Sequence, residues 1–246
     1  MTSPTASKGI ARGKPADYDQ ELVKRRFRIT SALTDFQNKT VLDFGSGNGA
    51  QTVQFLHSGC RILAVDIDYG DLHVLREYLD GNNTDAISPV QYDGNLLPVQ
   101  NSSIDTVISY EVIEHVGSES QALKELYRVL KPGGTLIMSV PNKWWVFETH
   151  GANLPLLPWN RVPFFSWLPK SIHSKYARAR IYRRKEIESL LTAHSFEVLK
   201  TQYITAPLDM IGNRSIQNFF RSTIFSGDTC TVPMLSTSIL LHCRKK

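Results

Sequence analysis

Apolar positions along the 246-residue chain fall into two alternating rhythms. In 18–36, Leu22, Phe27, Ile29, Ala32, Leu33 and Phe36 recur among charges, which predicts a leading helix. Short apolar runs then appear at 40–44, 61–65, 88–92, 104–109 and 135–140, each read as a strand. Helical spacing returns between them at 50–57, 72–79 and 118–130. The last of these carries Ala122, Leu123, Leu126, Val129 and Leu130, with the breaker Lys131, Pro132, Gly133, Gly134 behind it. Parallel strands need crossover connections, so this alternation predicts an α/β fold with a doubly wound, mostly parallel sheet. A further helix is expected over 183–194, with strands six and seven at 196–203 and 237–243. The expected organisation is a disordered tail over 1–16 and a single domain over 17–246. Within that domain, 142–180 breaks the rhythm as an insertion after strand five. The segment 205–234 is long for a connection and is expected to cover a ligand site.

Composition narrows the class. Hydrophobic content of 41% and charged content of 21% are ordinary for a globular protein, and no apolar run approaches the ~20 residues that span a bilayer. Cys60, Cys230 and Cys243 have no metal-type spacing and read as free thiols of a reducing compartment, such as the cytoplasm. The net charge of +5 is modest, but its placement is uneven. No acid occurs in 149–185, which holds Arg161, Lys170, Lys175, Arg178, Arg180, Arg183, Arg184 and Lys185. Just before and among them stand Trp144, Trp145, Phe147, Trp159, Phe164 and Trp167. This stretch reads either as a lid packed on its own domain or as an apolar substrate pocket that also touches a membrane surface through 144–185. Basic residues with interleaved aromatics also suit RNA. The apolar motifs between prolines look lipid-facing rather than base-facing, so nucleic acid is not the expected partner.

The chemistry gathers at the predicted strand ends. Strand one runs into Asp43, Gly45, Ser46, Gly47 and Gly49, a glycine turn of the kind that lets a backbone bend tightly or approach a ligand. Asp66 ends strand two, where a carboxylate can accept from ribose hydroxyls, and Asp68 is its less favoured neighbour. Asp93, Gly94 and Asn95 follow strand three. Strand four leads through Tyr110 into Glu111, Glu114 and His115; on a turn entering a helix these share a face, so two carboxylates and an imidazole can converge. Oxygen ligands with an imidazole suit Mg²⁺ or Mn²⁺. A nicotinamide oxidoreductase also uses a glycine turn and a strand-two acid, but its glycine spacing differs from the alternate glycines here. A scaffold that only binds a nucleotide is disfavoured by the intact residues after strand four.

With these motifs in order, and with the run Leu123-x-Glu125-x-x-Arg128 through Gly134, the chain resembles the class I S-adenosylmethionine-dependent methyltransferases over roughly 37–142. The resemblance is to the ubiquinone-pathway O-methyltransferase and methyltransferase type 11 group. It implies a seven-stranded Rossmann-like sheet with the last strand antiparallel. It also implies a cofactor site built from Asp43, Gly45, Ser46, Gly47, Asp66, Ile67, Asp93, Gly94, Asn95 and Tyr110. Arg28 would meet the methionine carboxylate or serve as a surface charge. The Glu111 to His115 stretch resembles the metal motif of ubiquinone-pathway O-methyltransferases and small-RNA terminal 2′-O-methyltransferases, in which a later histidine completes the site. His150 is preferred over His173 for that place. His115, Glu111 and Glu114 are then the catalytic residues, with or without Mg²⁺. The expected reaction is O-methylation of a small, hydrophobic acceptor, with an RNA 2′-hydroxyl as the alternative.

Overall fold

The computed structural model describes residues 13, 15–82, 84–147, 150 and 163–246. Eight strands form one sheet: β1 (Thr40–Phe44), β2 (Arg61–Asp66), β3 (Ile87–Gln91), β4 (Ile104–Tyr110), β5 (Leu130–Pro141), β6 (Phe196–Thr205), β7 (Thr229–Cys230) and β8 (Ser236–Lys245). The α-helices among the described residues are α1 (Glu21–Ser31), α2 (Tyr69–Gly81), α3 (Glu119–Val129), α4 (Lys170–Tyr176), α5 (Arg184–Ala193) and α6 (Arg214–Ser222). The strand order is β3-β2-β1-β4-β5-β8-β6-β7. The strands from β1 to β5 pair in parallel, β8 runs antiparallel between β5 and β6, and β7 is antiparallel on the β6 edge.

Successive residues of a strand point to opposite faces, and a sheet covered on both faces makes its strands apolar throughout. Leu42 accordingly packs with Leu123 and Leu126 of α3 and Ile187 of α5, while its neighbour Val41 packs with Ile29 of α1, Phe55 and Leu75 of α2. Two helical layers therefore sandwich the sheet, as the doubly wound reading requires.

Three local expectations are corrected. The sheet has eight strands rather than seven, because the cover segment contributes the two-residue β7. The helix expected over 50–57 is one 3₁₀ turn, Thr52–Phe55; its β-branched Thr52 and Val53 favour helix weakly, and Thr52 Oγ1 donates to Asp43 Oδ2 at 2.6 Å. The breaker Lys131 to Gly134 does not precede β5 but lies inside it. Leu130 pairs with Ile104 and Thr135 with Thr106, so the four residues between form an irregularity in the strand, with Gly133 at φ 72°.

In 142–180 the described elements are a 3₁₀ turn, Phe165–Trp167, and α4. Trp159 and Arg161 lie outside the described residues, as does nearly all of the expected tail. Cys60, Cys230 and Cys243 are free thiols.

Candidate active site

The sheet order turns back between β1 and β4, since the chain proceeds outward from β1 to β3 and then returns to the other side. In open α/β sheets this switch point leaves a crevice at the carboxyl ends of the strands. A cleft of about 1760 Å³ opens there. It is lined by the turn after β1, Asp66 after β2, the 93–95 turn, and the residues after β4.

The glycines of the first turn have separate reasons. Gly45 and Gly49 hold φ near 77° and 81°, and a Cβ on either would collide with Val112 or Leu75. Gly47, at φ 53°, would meet nothing closer than Pro15 at 3.7 Å. Packing explains Gly45 and Gly49; at Gly47 the missing side chain leaves the cleft open.

Asp66 accepts from the backbone N–H of Gly47 at 2.8 Å and of Asp68 at 2.9 Å, which ties β2 to the turn and orients its carboxylate at the cleft. Asp68 instead caps α2 by accepting from Asp71 N at 2.9 Å. Ile67 is exposed beside Gly94, whose added Cβ would lie 3.5 Å from it. Asp93 accepts from the N–H groups of Asn95 and Leu96; these bonds, with the Asn95 side chain, hold its carboxyl below the usual range. Asp43 is buried, and burial raises its carboxyl to about 7 despite the Thr52 hydrogen bond. Ser46 is also buried on the cleft wall, and its Oγ has no hydrogen-bond partner among the described residues. A buried hydroxyl in that state is what a polar ligand would satisfy. Tyr110 shares a 2.8 Å hydrogen bond with Thr30 of α1.

Arg28 does not reach the cleft. It is nearly half exposed and grips Asp228 with Nε at 2.8 Å and Nη2 at 2.6 Å, and Glu21 at 2.6 Å. Arg26 lines the cleft instead. It is 5% exposed, its Nη2 lies 2.9 Å from Glu111 Oε1, and its guanidinium sits 5.6 Å over the Tyr110 ring. A signal for this existed: Val23, Arg26, Ile29 and Thr30 form one buried helical stripe, and Arg28 falls off it.

At the reacting end, Glu111, Glu114 and His115 sit on an irregular turn between β4 and α3, not on a helix. Glu111 takes φ 58°, a left-handed conformation costly for a non-glycine residue and often found at functional sites. It accepts from Ser139 Oγ at 3.1 Å, and His150 Nε2 lies 3.4 Å from its Oε2. Ligand atoms of Glu114, His115 and His150 lie within 4.8 Å of one another. The two imidazoles meet edge to face at 4.8 Å. His173 is buried against Phe165, 5.0 Å between ring centres, as part of the α4 packing.

Burial would raise the Glu111 carboxyl, but the His150 hydrogen bond and the Arg26 charge outweigh it and hold it low. Glu114 moves the other way, raised by complete burial and then by the Glu111 charge. Neither Glu114 carboxylate oxygen has a hydrogen-bond partner among the described residues. A wholly buried carboxylate beside two imidazoles and a second carboxylate fits a divalent cation, which would supply the missing charge. Trp145, Phe147, Leu208 and Met210 add apolar wall to the cleft.

Residues 42–138 match the methyltransferase domain family. Among curated proteins, the chain is 26% identical to a ubiquinone biosynthesis O-methyltransferase of Bartonella tribocorum, over 80% of this chain and 77% of that one. It is 32% identical to a demethylmenaquinone methyltransferase of Clavibacter sepedonicus, over 46% of this chain and 45% of that one. For most of the first curated relatives matched, the chain spans about half of their length. Its fold is similar to a crystal structure of an S-adenosylmethionine-dependent methyltransferase from Aquifex aeolicus, with TM-score 0.59 and 12% identity over 90% of this chain and 89% of that one.

Proposed function

Because the chain belongs to the class I S-adenosylmethionine-dependent methyltransferases, we propose that it moves a methyl group from S-adenosylmethionine to a hydroxyl of a small, apolar acceptor. The observation that carries the acceptor half is the convergence of Glu114, His115 and His150 beside the cleft that the glycine turn also lines.

S-adenosylmethionine, when bound, supplies an electrophilic methyl on a sulfonium. Gly47 leaves it room, Asp66 accepts from its ribose hydroxyls, and the 93–95 turn with Ile67 borders the adenine. Arg26 takes the role that the sequence offered to Arg28 and meets the methionine carboxylate. At the acceptor, Trp145, Phe147, Leu208 and Met210 exclude water and hold apolar surface. Alignment alone supplies several powers of ten in rate. Without a metal, a histidine of the 115/150 pair accepts the hydroxyl proton at a ring nitrogen, worth typically ~10²–10⁴-fold. Glu111, Glu114, His115 and His150 would hold Mg²⁺ or Mn²⁺, which lowers the pKa of an acceptor hydroxyl.

The similarity to a demethylmenaquinone methyltransferase supports a second reading, transfer to a ring carbon of a quinone-like acceptor. An RNA 2′-hydroxyl is less favoured, because the wall at the reacting end is apolar. The deciding experiment is transfer of labelled methyl into phenol, quinol, lipid and RNA fractions, with Mg²⁺ or with chelator. Label in an ether of a small apolar phenol, lost on chelation, is the expected outcome. Label on carbon, or only in RNA, would replace the O-methylation reading.

A further inference from the structure

The basic and aromatic stretch after β5 is only partly absorbed by the site. Trp145 and Phe147 turn into the cleft, and Phe165 packs with Ala177 just after α4. Their chain neighbours do the opposite: Trp144, Phe164 and Trp167 are 38%, 54% and 37% exposed.

This exposure is built rather than incidental. Lys143 is buried and donates Nζ to the carbonyls of Ser166 at 3.0 Å and Leu168 at 2.9 Å, and Ser166 Oγ donates to Trp145 O at 2.6 Å. The turn is therefore fastened from inside. Phe164 holds φ 61°, a left-handed conformation unfavourable for a bulky side chain, with its ring in water. Phe164 and Trp167 meet edge to face at 5.0 Å, and Trp167 Nε1 donates to Trp144 O at 3.2 Å. Arg183 lies 5.6 Å over the Trp144 ring. The three aromatics form one patch, next in the chain to Trp145 of the cleft wall.

Charge surrounds it. From 163 to 185 there are seven basic residues and no acid. Arg180 pairs with Glu119 of α3, and Arg184 pairs with Glu188 one turn along α5. Among the described residues no acid pairs with Lys170, Lys175 or Lys185.

We propose that Trp144, Phe164 and Trp167, with Lys170, Lys175 and Arg183, dock this protein on an anionic lipid bilayer. Large amphipathic rings insert at the headgroup level while lysine and arginine stems run along the apolar surface and place their charges on lipid phosphates. Single-stranded nucleic acid fits less well. Base stacking needs open ring faces, whereas Arg183 takes one face of Trp144 and the other two rings meet edge to face. Docking here brings the cleft wall at Trp145 toward the bilayer, the phase in which an apolar acceptor concentrates.

The test is flotation of the full chain with vesicles of neutral phosphatidylcholine, or with about one-third anionic phospholipid. It needs no turnover, so its outcome is separate from that of the methyl-transfer reading. Binding is expected only to the anionic vesicles and falls as salt rises. The pair Lys170→Glu/Lys175→Glu is expected to weaken it about tenfold or more. Trp167→Ser with Phe164→Ser should have a similar effect, while Lys124→Glu on α3 should not change it. Retained S-adenosylhomocysteine binding reports that each variant is folded; if the aromatic pair fails to fold, the lysine pair carries the test. Equal binding to neutral vesicles, indifference to the lysine pair, or binding to single-stranded RNA without vesicle binding overturns the proposal.

Discussion

Arg26 and Arg28 stand two residues apart on α1 and have opposite surroundings. Arg26 is buried against Glu111 in the cleft, and its Nε has no hydrogen-bond partner among the described residues. Arg28 faces Asp228 in partial solvent, where an ion pair contributes at most about 1 kcal/mol. Replacing Arg28 with Ala is expected to leave S-adenosylhomocysteine affinity unchanged in calorimetry. Arg26→Met should weaken it by roughly tenfold or more, the magnitude of a lost charged hydrogen bond; equal effects of the two changes would return the carboxylate to Arg28. Asp43 makes a different prediction. Its carboxyl shifts from 3.8 to about 7 on burial. Between those values the unfolded chain ionises while the folded one keeps the proton. Stability from this group therefore falls as pH rises from about 4 to about 7 and levels off above. In thermal melts, Asp43→Asn should gain on the parent as pH rises from about 5 to about 8, at about 2–4 °C per kcal/mol. A constant difference across that range would mean that Asp43 is already ionised in the fold.

The turn between β4 and α3 carries Glu111, Glu114 and His115 and is closed within itself by His115 N donating to Val112 O at 2.9 Å. Arg180, from the basic stretch, satisfies further carbonyls. Its Nη1 donates to Val116 O at 2.7 Å and Glu114 O at 3.3 Å, and its Nη2 to Gly117 O at 3.4 Å. Its backbone N–H donates to Glu114 O as well, at 3.4 Å. Arg180 is thus a positioning residue for groups it does not itself replace. Arg180→Met is expected to lower kcat by about tenfold or more while S-adenosylhomocysteine affinity holds, and added guanidinium should restore part of the rate. A fall in affinity with no chemical rescue would reduce Arg180 to a role in folding. On α1, Arg25 acts similarly, donating to Thr205 O at 3.0 Å and Phe225 O at 2.9 Å and fastening the cover segment to the first helix. That is how Pro207, Leu208 and Met210 come to line the cleft.

For the whole molecule, the turns after β1, β2 and β4 line one cleft at the switch point, and in the proposed function the first two serve the donor and the third the acceptor. Ligand linkage tests that division. S-adenosylhomocysteine at about 100 times its Kd stabilises by about 2.7 kcal/mol, a rise of roughly 5–10 °C in Tm. Asp66→Ala should abolish the rise, whereas His115→Ala should keep it and slow turnover. A lost rise in the histidine variant would place His115 with the donor.

Much of this was readable along the chain. Two-sided burial gives β1, β2 and β4 apolar centres, and an amphipathic stripe marks α3, so the layered sheet follows from local pattern. The glycine turn and Asp66 are equally legible, since each belongs to one strand end whose position the topology dictates. The rest depended on contacts between distant segments. Arg26 differs from Arg28 only by which side of α1 meets the sheet. His150 meets Glu114 across 36 positions of chain because strand five ends beside strand four. Arg180 closes a turn more than sixty residues before it. Phe164 and Phe165 are the same residue type, and the anchors of Lys143 and Ser166 hold one toward solvent and the other inward. Periodicity records which residues avoid water; which distant partners they meet is set by packing.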